Sequence, residues 1–289
     1  MLAGRLGLET ARIPHKDRYG LLWLSRGKLG VEDGCLVFET AGDGTMPAGR
    51  YGLPHQSVSI VLLGPGGSVT HDALRLLARH NLSLMAVGED GVRLYTAPPL
   101  QTDTSALARA QMRLWADAKE GRLTVARRMY ALRFGETLPH RDLDVLRGIE
   151  GARMKETYRI CAQRAGIRWD GRRYDRKNPG SDDVPNQALN HAATAVEAAA
   201  SIAVAATATI PQLGFIHEDS GLSFVLDVAD LMRAAVTIPC AFKATAIHQK
   251  RPQDSLERLT RRLVGETLRR EQVIHRMIEH IQSVLREED

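Results

Sequence analysis

One change of period divides this chain. Up to about residue 97 the apolar residues come in short runs broken by glycine, proline and aspartate, and beyond residue 104 they recur at helical spacing to the end. The expected fold class is therefore α+β in two domains. A small β-rich N-terminal domain spans 1–97, a linker following Pro98 and Pro99 spans 98–104, and a larger all-α domain spans 105–289. In the first part, 21–24, 26–28 and 29–32 read as a hairpin, 35–38 as a further strand after Asp33 and Gly34, and 58–63 as a buried strand. Thr70 can cap a short helix running to about His80, and 82–87 pairs with 92–95. In the second part helices are expected over 105–134, 141–165, 186–209, 223–236 and 255–285, with a polar loop over 166–185.

Composition narrows the class. With 44% hydrophobic and 25% charged residues in 289, the chain is neither disordered, collagenous nor of low complexity. Three distant cysteines, Cys35, Cys161 and Cys240, form no C-x-x-C pair, so a disulfide framework or cysteine zinc site is not expected, and a reducing cytoplasm is the default. The first residues hold no apolar run long enough for a signal peptide. Only 188–210 is long enough to span a membrane, but it is mostly Ala and Thr and carries His191 and Glu197, so a helix buried inside the protein is expected.

Charge is unevenly spread. Residues 1–104 carry ten Lys and Arg against ten Asp and Glu, 105–177 carry eighteen against nine, and 178–289 carry eleven against fifteen, within an overall +5. The basic middle block suits a polyanion-binding face, or else merely solvated Arg-rich helix faces.

Within that block, Leu143, Leu146, Glu150, Met154 and Thr157 share one helical face, which sets a carboxylate on an apolar stripe. Such a group is costly unless it binds a metal or pairs with a cation such as Arg147 or Arg153. Asp227 and Asp230 lie three apart among apolar residues, where their repulsion calls for a shared cation or help from a helix dipole. His217 ends a short apolar run ten residues before Asp227. Three carboxylates and an imidazole make an O/N set that suits Mg²⁺ or Mn²⁺, and such a cation beside a basic block suits phosphodiester chemistry. The loop 169–177 interleaves Trp169 and Tyr174 with Arg172, Arg173 and other basic residues, a pattern for phosphate contact and base stacking, or for a core tryptophan among solvated arginines. Gly64 to Ser68 lacks the Gly-Lys-Ser/Thr of a P-loop, and neither H-E-x-x-H nor G-x-S-x-G occurs. Three readings stay open on these residues: strand transfer on DNA, a structure-selective nuclease acting on branched repair DNA, and a non-catalytic nucleic-acid scaffold with a structural Asp227/Asp230 pair.

Six ordered stretches carry a family resemblance: Leu-Arg-Gly-Ile-Glu-Gly at 146–151, Trp-Asp-Gly-Arg-Arg-Tyr at 169–174, Gly-Phe-Ile-His at 214–217, Phe-Val-Leu-Asp-Val-Ala-Asp at 224–230, Ile-Pro-His-Lys-Asp-Arg at 13–18 and Val-Gly-Glu-Asp-Gly-Val-Arg at 87–93. The chain resembles the CRISPR-associated spacer-acquisition endonuclease/integrase family over nearly its whole length, closest to the type I-E branch. The resemblance implies a dimerising β-rich domain and an all-α catalytic domain that binds Mg²⁺ or Mn²⁺ through Glu150, His217 and Asp230, with Asp227 in support. It also implies DNA contacts from Arg75, Arg93 and Tyr174, to which the basic loop adds Arg172 and Arg173. The implied reaction inserts foreign DNA fragments into a CRISPR array as new spacers, by attack of a fragment's 3′-hydroxyl on the repeat. The implied partners are spacer-precursor and repeat DNA, a second copy in a homodimer, and the small protein Cas-two in a heterohexamer, with no membrane. Ser68 and Ser220 stand where relatives have a basic residue, and Arg26, Glu197 and Leu226 where they have tyrosines.

Overall fold

The computed structural model describes residues 21–42, 46–55, 57–80, 82–96, 105–173 and 183–286. The 13–18 motif, the expected linker and Tyr174 lie outside them. The chain divides into two compact units, Met1–Glu89 with Leu94–Ser105, and Asp90–Arg93 with Ala106–Asp289. Strands belong to the first and long helices to the second, so the α+β class expected from the period change is the one observed.

The strands in chain order are β1 (Leu21–Leu24), β2 (Gly27–Glu32), β3 (Cys35–Thr40), β4 (Gly49–Leu53), β5 (Ile60–Leu63), β6 (Ser68–Val69), β7 (Ser83–Val87) and β8 (Leu94–Thr96). They form two four-stranded sheets, ordered β1-β5-β7-β8 and β4-β3-β2-β6. The expected hairpin of residues 21–24 with 29–32 is not formed. Arg26 takes a left-handed φ of 53°, and β1 leaves to pair in parallel with β5, matching Leu21 to Ile60. The hairpin is β2 with β3, across Asp33 (φ 48°) and Gly34 (φ 75°), because an Asp-Gly turn with both central φ positive matches strand twist. Thr70 caps α1 (His71–Arg79) by accepting from the Ala73 amide at 3.2 Å, as expected. Leu24, Leu29, Phe38, Val61 and Ala73 are buried together in the core of this unit.

The helical unit holds α2 (Ala106–Ala116), α3 (Gly121–Phe134), α4 (Leu143–Ala165), α5 (Val184–Ala206), α6 (Ser223–Leu231), α7 (Ile238–Lys250), α8 (Leu256–Arg270) and α9 (Val273–Val284). Three expected helices are broken. The 105–134 run divides where the Asp117 carboxylate accepts from the Lys119 and Glu120 amides, a local turn that competes with the helix. The 223–236 run stops at Leu231 and continues through a π-helical turn, Arg233–Thr237, into α7, a helix the periodicity missed. Pro239 sits in the first turn of α7, directly after the π-helical turn. The 255–285 run breaks at Gln272, whose φ is 48°.

Caps fix the helices that matter for the site. Asp142 accepts from the Asp144 and Val145 amides at the start of α4, and Gly166 ends it at φ 66°. Asp183 caps α5, which packs against α6, α7, α8 and α9. Ala192, Ala199, Ala200 and Ala203 along α5 are fully buried, so the Ala-rich stretch at 188–210 lies in the helical core, where small side chains admit close approach. Among the described residues no helix is long and apolar enough to cross a membrane.

Candidate metal centre

The site begins with a carboxylate that has no solvent. Asp227, on α6, is fully buried and accepts from the Phe215, Ile216 and His217 amides at 2.6, 3.1 and 2.9 Å. Three successive amides aimed at one anion make a backbone nest, so Asp227 meets its charge without a metal or a helix end. Its Oδ1 also lies 2.7 Å from His217 Nδ1. The turn is held by Phe215 and Phe224, both buried and packed edge to face at 6.0 Å. Gly214 is required there, since a Cβ would meet the His217 carbonyl at 2.4 Å.

One helical turn on, Asp230 faces a different neighbourhood. Arg233 Nη2 lies 2.9 Å from its Oδ1, and Arg133 Nη1 lies 3.8 Å from its Oδ2. That same Arg133 nitrogen is 2.6 Å from Glu150 Oε1. Glu150 on α4 and Asp230 on α6 therefore converge on a single nitrogen carried by the last turn of α3. The phenol of Tyr130 donates to Glu150 Oε2 at 3.1 Å, and burial, with Glu150 second, pushes its pKa far up, so it stays a donor. Neither expected partner of Glu150 is the one used. Arg147 donates to the Ile216 carbonyl at 2.6 Å, and Arg153 pairs with Glu136 and lies 4.7 Å from the Phe134 ring centre.

Burial sets the electrostatics. It pushes the Asp230 carboxyl above its ordinary pKa, against the pull of Arg233 and Arg133. Glu197 on α5 is raised by burial and then by Asp230, so a fourth carboxylate, which the sequence marks as a polar break in an apolar run and as a departure from the family's tyrosine, belongs to the same field. His217 is raised, first by its hydrogen bond to Asp227, against burial.

The donor chemistry fits a hard divalent cation. Two carboxylates meet at one positive nitrogen, and a half-exposed imidazole has its Nδ1 fixed by a buried carboxylate, which leaves Nε2 to bind. Among the described residues no three His, Cys, Asp or Glu side chains are already gathered at metal-holding range, and Arg133 stands where two of them meet. Beside the imidazole opens a pocket of about 580 Å³ lined by Arg147, Ile216, His217, Glu218, Asp219 and Ser220.

The other expected residues are spread out. Arg172 bonds to Asn186 at 3.0 Å and Asn190 at 2.7 Å, tying the loop to α5, while Arg173 is exposed and its amide donates to the same Asn186. Trp169 stacks on Tyr158 at 5.2 Å and packs on Phe242 at 5.1 Å, so its face serves the core rather than a base. Arg93 pairs with Glu257 at 3.3 Å in the helical unit, and Arg75 pairs with Asp72 at 3.1 Å on α1. Arg133, Arg233, Tyr130 and Glu197 are the participants that sequence reasoning missed. Only the basic character of the 105–177 block hinted at the first.

The chain is similar to known proteins over most of its length. The family model described as CRISPR associated protein Cas1 matches residues 21–138 and 132–277. A CRISPR-associated endonuclease Cas1 of Methanospirillum hungatei is 37% identical over 275 residues, covering 94% of this chain and 88% of that one. One of Geobacter sulfurreducens is 38% identical over 277 residues, covering 94% and 86%. The crystal structure of a TtCas1–DNA complex superposes with a TM-score of 0.82 at 32% identity, covering 94% of this chain and 98% of that one.

Proposed function

The chain belongs to the Cas1 family of CRISPR-associated proteins, and from its site geometry we propose that it is a Mg²⁺- or Mn²⁺-dependent DNA endonuclease and integrase that inserts DNA fragments as new spacers into a CRISPR array. The observation that carries this reading is the convergence of Glu150 and Asp230, from separate helices, beside a histidine fixed by Asp227. Curated relatives named as endonucleases and a homologue crystallised on DNA support it.

In this reading Glu150, Asp230 and His217 through Nε2 hold the cation. When bound, the ion supplies charge neutralisation and polarisation at the scissile phosphate. Asp227 keeps the imidazole in one tautomer and one orientation, since its Oδ1 accepts a hydrogen bond from Nδ1–H. Arg147 brings positive charge to the pocket beside His217, and Arg173 and the basic block follow the backbone of the duplex. The fragment's 3′-hydroxyl attacks, one P–O bond forms as another breaks, and no ATP is consumed. Assembly as a homodimer with Cas-two, and residence in the cytoplasm, belong to the same proposal.

The test is a strand-transfer assay in Mg²⁺ or Mn²⁺ with wild type, Glu150→Ala and Asp230→Ala. Joined strands are expected from wild type, and a loss of about a hundredfold or more from each variant. Undiminished joining by either variant refutes its assigned role. Shortened strands alone identify a structure-selective nuclease instead, and DNA binding without any metal-dependent chemistry identifies a scaffold.

A further inference from the structure

Arg133 is the least satisfied charge among those described around the site. Its side chain is 3% exposed, yet it has one short ionic contact, Nη1 to Glu150 at 2.6 Å, and one long one, to Asp230 at 3.8 Å. Nη2 faces the Met154 thioether at 3.0 Å, a weak acceptor, and Nε is buried with no partner. A guanidinium does not shed its proton, so this nitrogen set keeps a full positive charge in a place that leaves two of its groups poorly paired. Met154 and Glu150 are both on α4, so that one helix face supplies Arg133 with its close charged partner and its poor one.

A cation seated by Glu150 and Asp230 must come up to the Glu150 oxygen that Arg133 holds and to an Asp230 carboxylate 3.8 Å from the same nitrogen, and two cations at contact range repel strongly where water is scarce. We infer that Arg133 is a built-in competitor of the metal: it neutralises Glu150 in the metal-free protein, while Arg233 is the closer partner of Asp230, and it leaves Glu150 when a divalent ion arrives. Its loose pairing at Nη2 and Nε keeps the cost of leaving low. The device lets two buried carboxylates exist before metal is loaded, and it weakens metal affinity in return. This inference rests on the metal reading above, but concerns a residue outside the expected ligand set.

The experiment uses the full-length protein and Mn²⁺ alone. Isothermal calorimetry on wild type and Arg133→Met reads affinity, and thermal melting in EDTA and in saturating Mn²⁺ reads the metal-free state. Arg133→Met is expected to bind Mn²⁺ at least fivefold more tightly, to melt about 4 °C or more below wild type in EDTA, and to recover most of that gap in Mn²⁺. Equal or weaker Mn²⁺ binding by the variant overturns the inference while leaving the metal reading intact; no binding by either protein overturns both. Should Arg133→Met not fold, wild type still decides. Its Arg133 Nε–H resonance, assigned by its loss in Arg133→Lys, should move on titration with diamagnetic Mg²⁺, and a resonance unmoved while calorimetry records Mg²⁺ binding contradicts the displacement.

Discussion

His217 Nδ1 lies 2.7 Å from Oδ1 of Asp227, a carboxylate that is fully buried and already holds three backbone amides of the turn carrying that histidine. One anion thus sets both the shape of the turn and the direction of the ring. Asp227→Asn keeps the volume but places an amide N–H where a donor now points, so about 1–3 kcal/mol of stability should be lost. Mn²⁺ affinity should fall about 10–100-fold, the usual effect of losing an outer partner of a ligating histidine. Denaturant unfolding and calorimetry check the two losses. An Asn variant that loses stability but keeps wild-type affinity shows that Asp227 shapes the turn without orienting the ring.

Acidity gives a second handle. His217 has its pKa raised in the fold, chiefly by Asp227 and with help from Asp230, against burial and Arg233. A raised folded value means its stabilising contribution is complete below the ordinary histidine pKa, roughly 6.5, and is lost as pH climbs through the folded value. His191 and His280 are pushed down by burial and pull the other way, so the signal is a difference between two proteins. In EDTA, wild type should lose its stability advantage over His217→Gln as pH rises from about 6 to 8. A constant difference across that range contradicts the pairing.

Trp169 separates packing from recognition. Because it stacks on Tyr158 and packs on Phe242, Trp169→Ala should cost about 3 kcal/mol of stability, the low end for an aromatic truncation since the ring is partly exposed. The folded fraction should bind DNA with nearly unchanged affinity. Arg173→Ala should do the reverse, leaving the melting temperature alone and lowering the salt slope of DNA binding by about 1. Melting curves and salt-dependent fluorescence anisotropy on both variants are sufficient.

Parts of this architecture could be read directly from residue spacing. The 3-4-4-3 pattern through Glu150 put a carboxylate on the inward face of α4, and Leu146 and Met154 on that face are buried. The partner of Glu150 could not be read the same way. Spacing offers only neighbours three or four residues away, Arg147 and Arg153, whereas Arg133 comes from the preceding helix and meets Glu150 only after α3 and α4 pack. Likewise the i, i+3 spacing of Asp227 and Asp230 suggested a shared cation, but the pair divides its work: backbone amides and His217 satisfy one, and arginines the other. Backbone amides carry no side-chain signature, so a nest of them is invisible in a sequence. β1 was misplaced for a related reason, since parallel pairing with β5 joins residues some forty positions apart, Leu21 with Ile60, which no local pattern encodes.

Filling the α5 seam tests the packing beneath the site. Ala200 is fully buried on a helix enclosed by four others, so Ala200→Leu should destabilise by about 1–3 kcal/mol through overpacking, with no change in the ligands themselves. Urea unfolding reads the loss, and Mn²⁺ binding by the folded variant should stay within about twofold of wild type.

The central claim is that Glu150, His217 and Asp230 jointly hold one kind of divalent ion. Anomalous diffraction from crystals soaked in Mn²⁺ tests it most directly. The account predicts a manganese peak bonded to a Glu150 oxygen, to His217 Nε2 and to an Asp230 oxygen, with the Arg133 guanidinium drawn away from Glu150. Manganese bound elsewhere, or no peak at this site while Arg133 still grips Glu150, would contradict it.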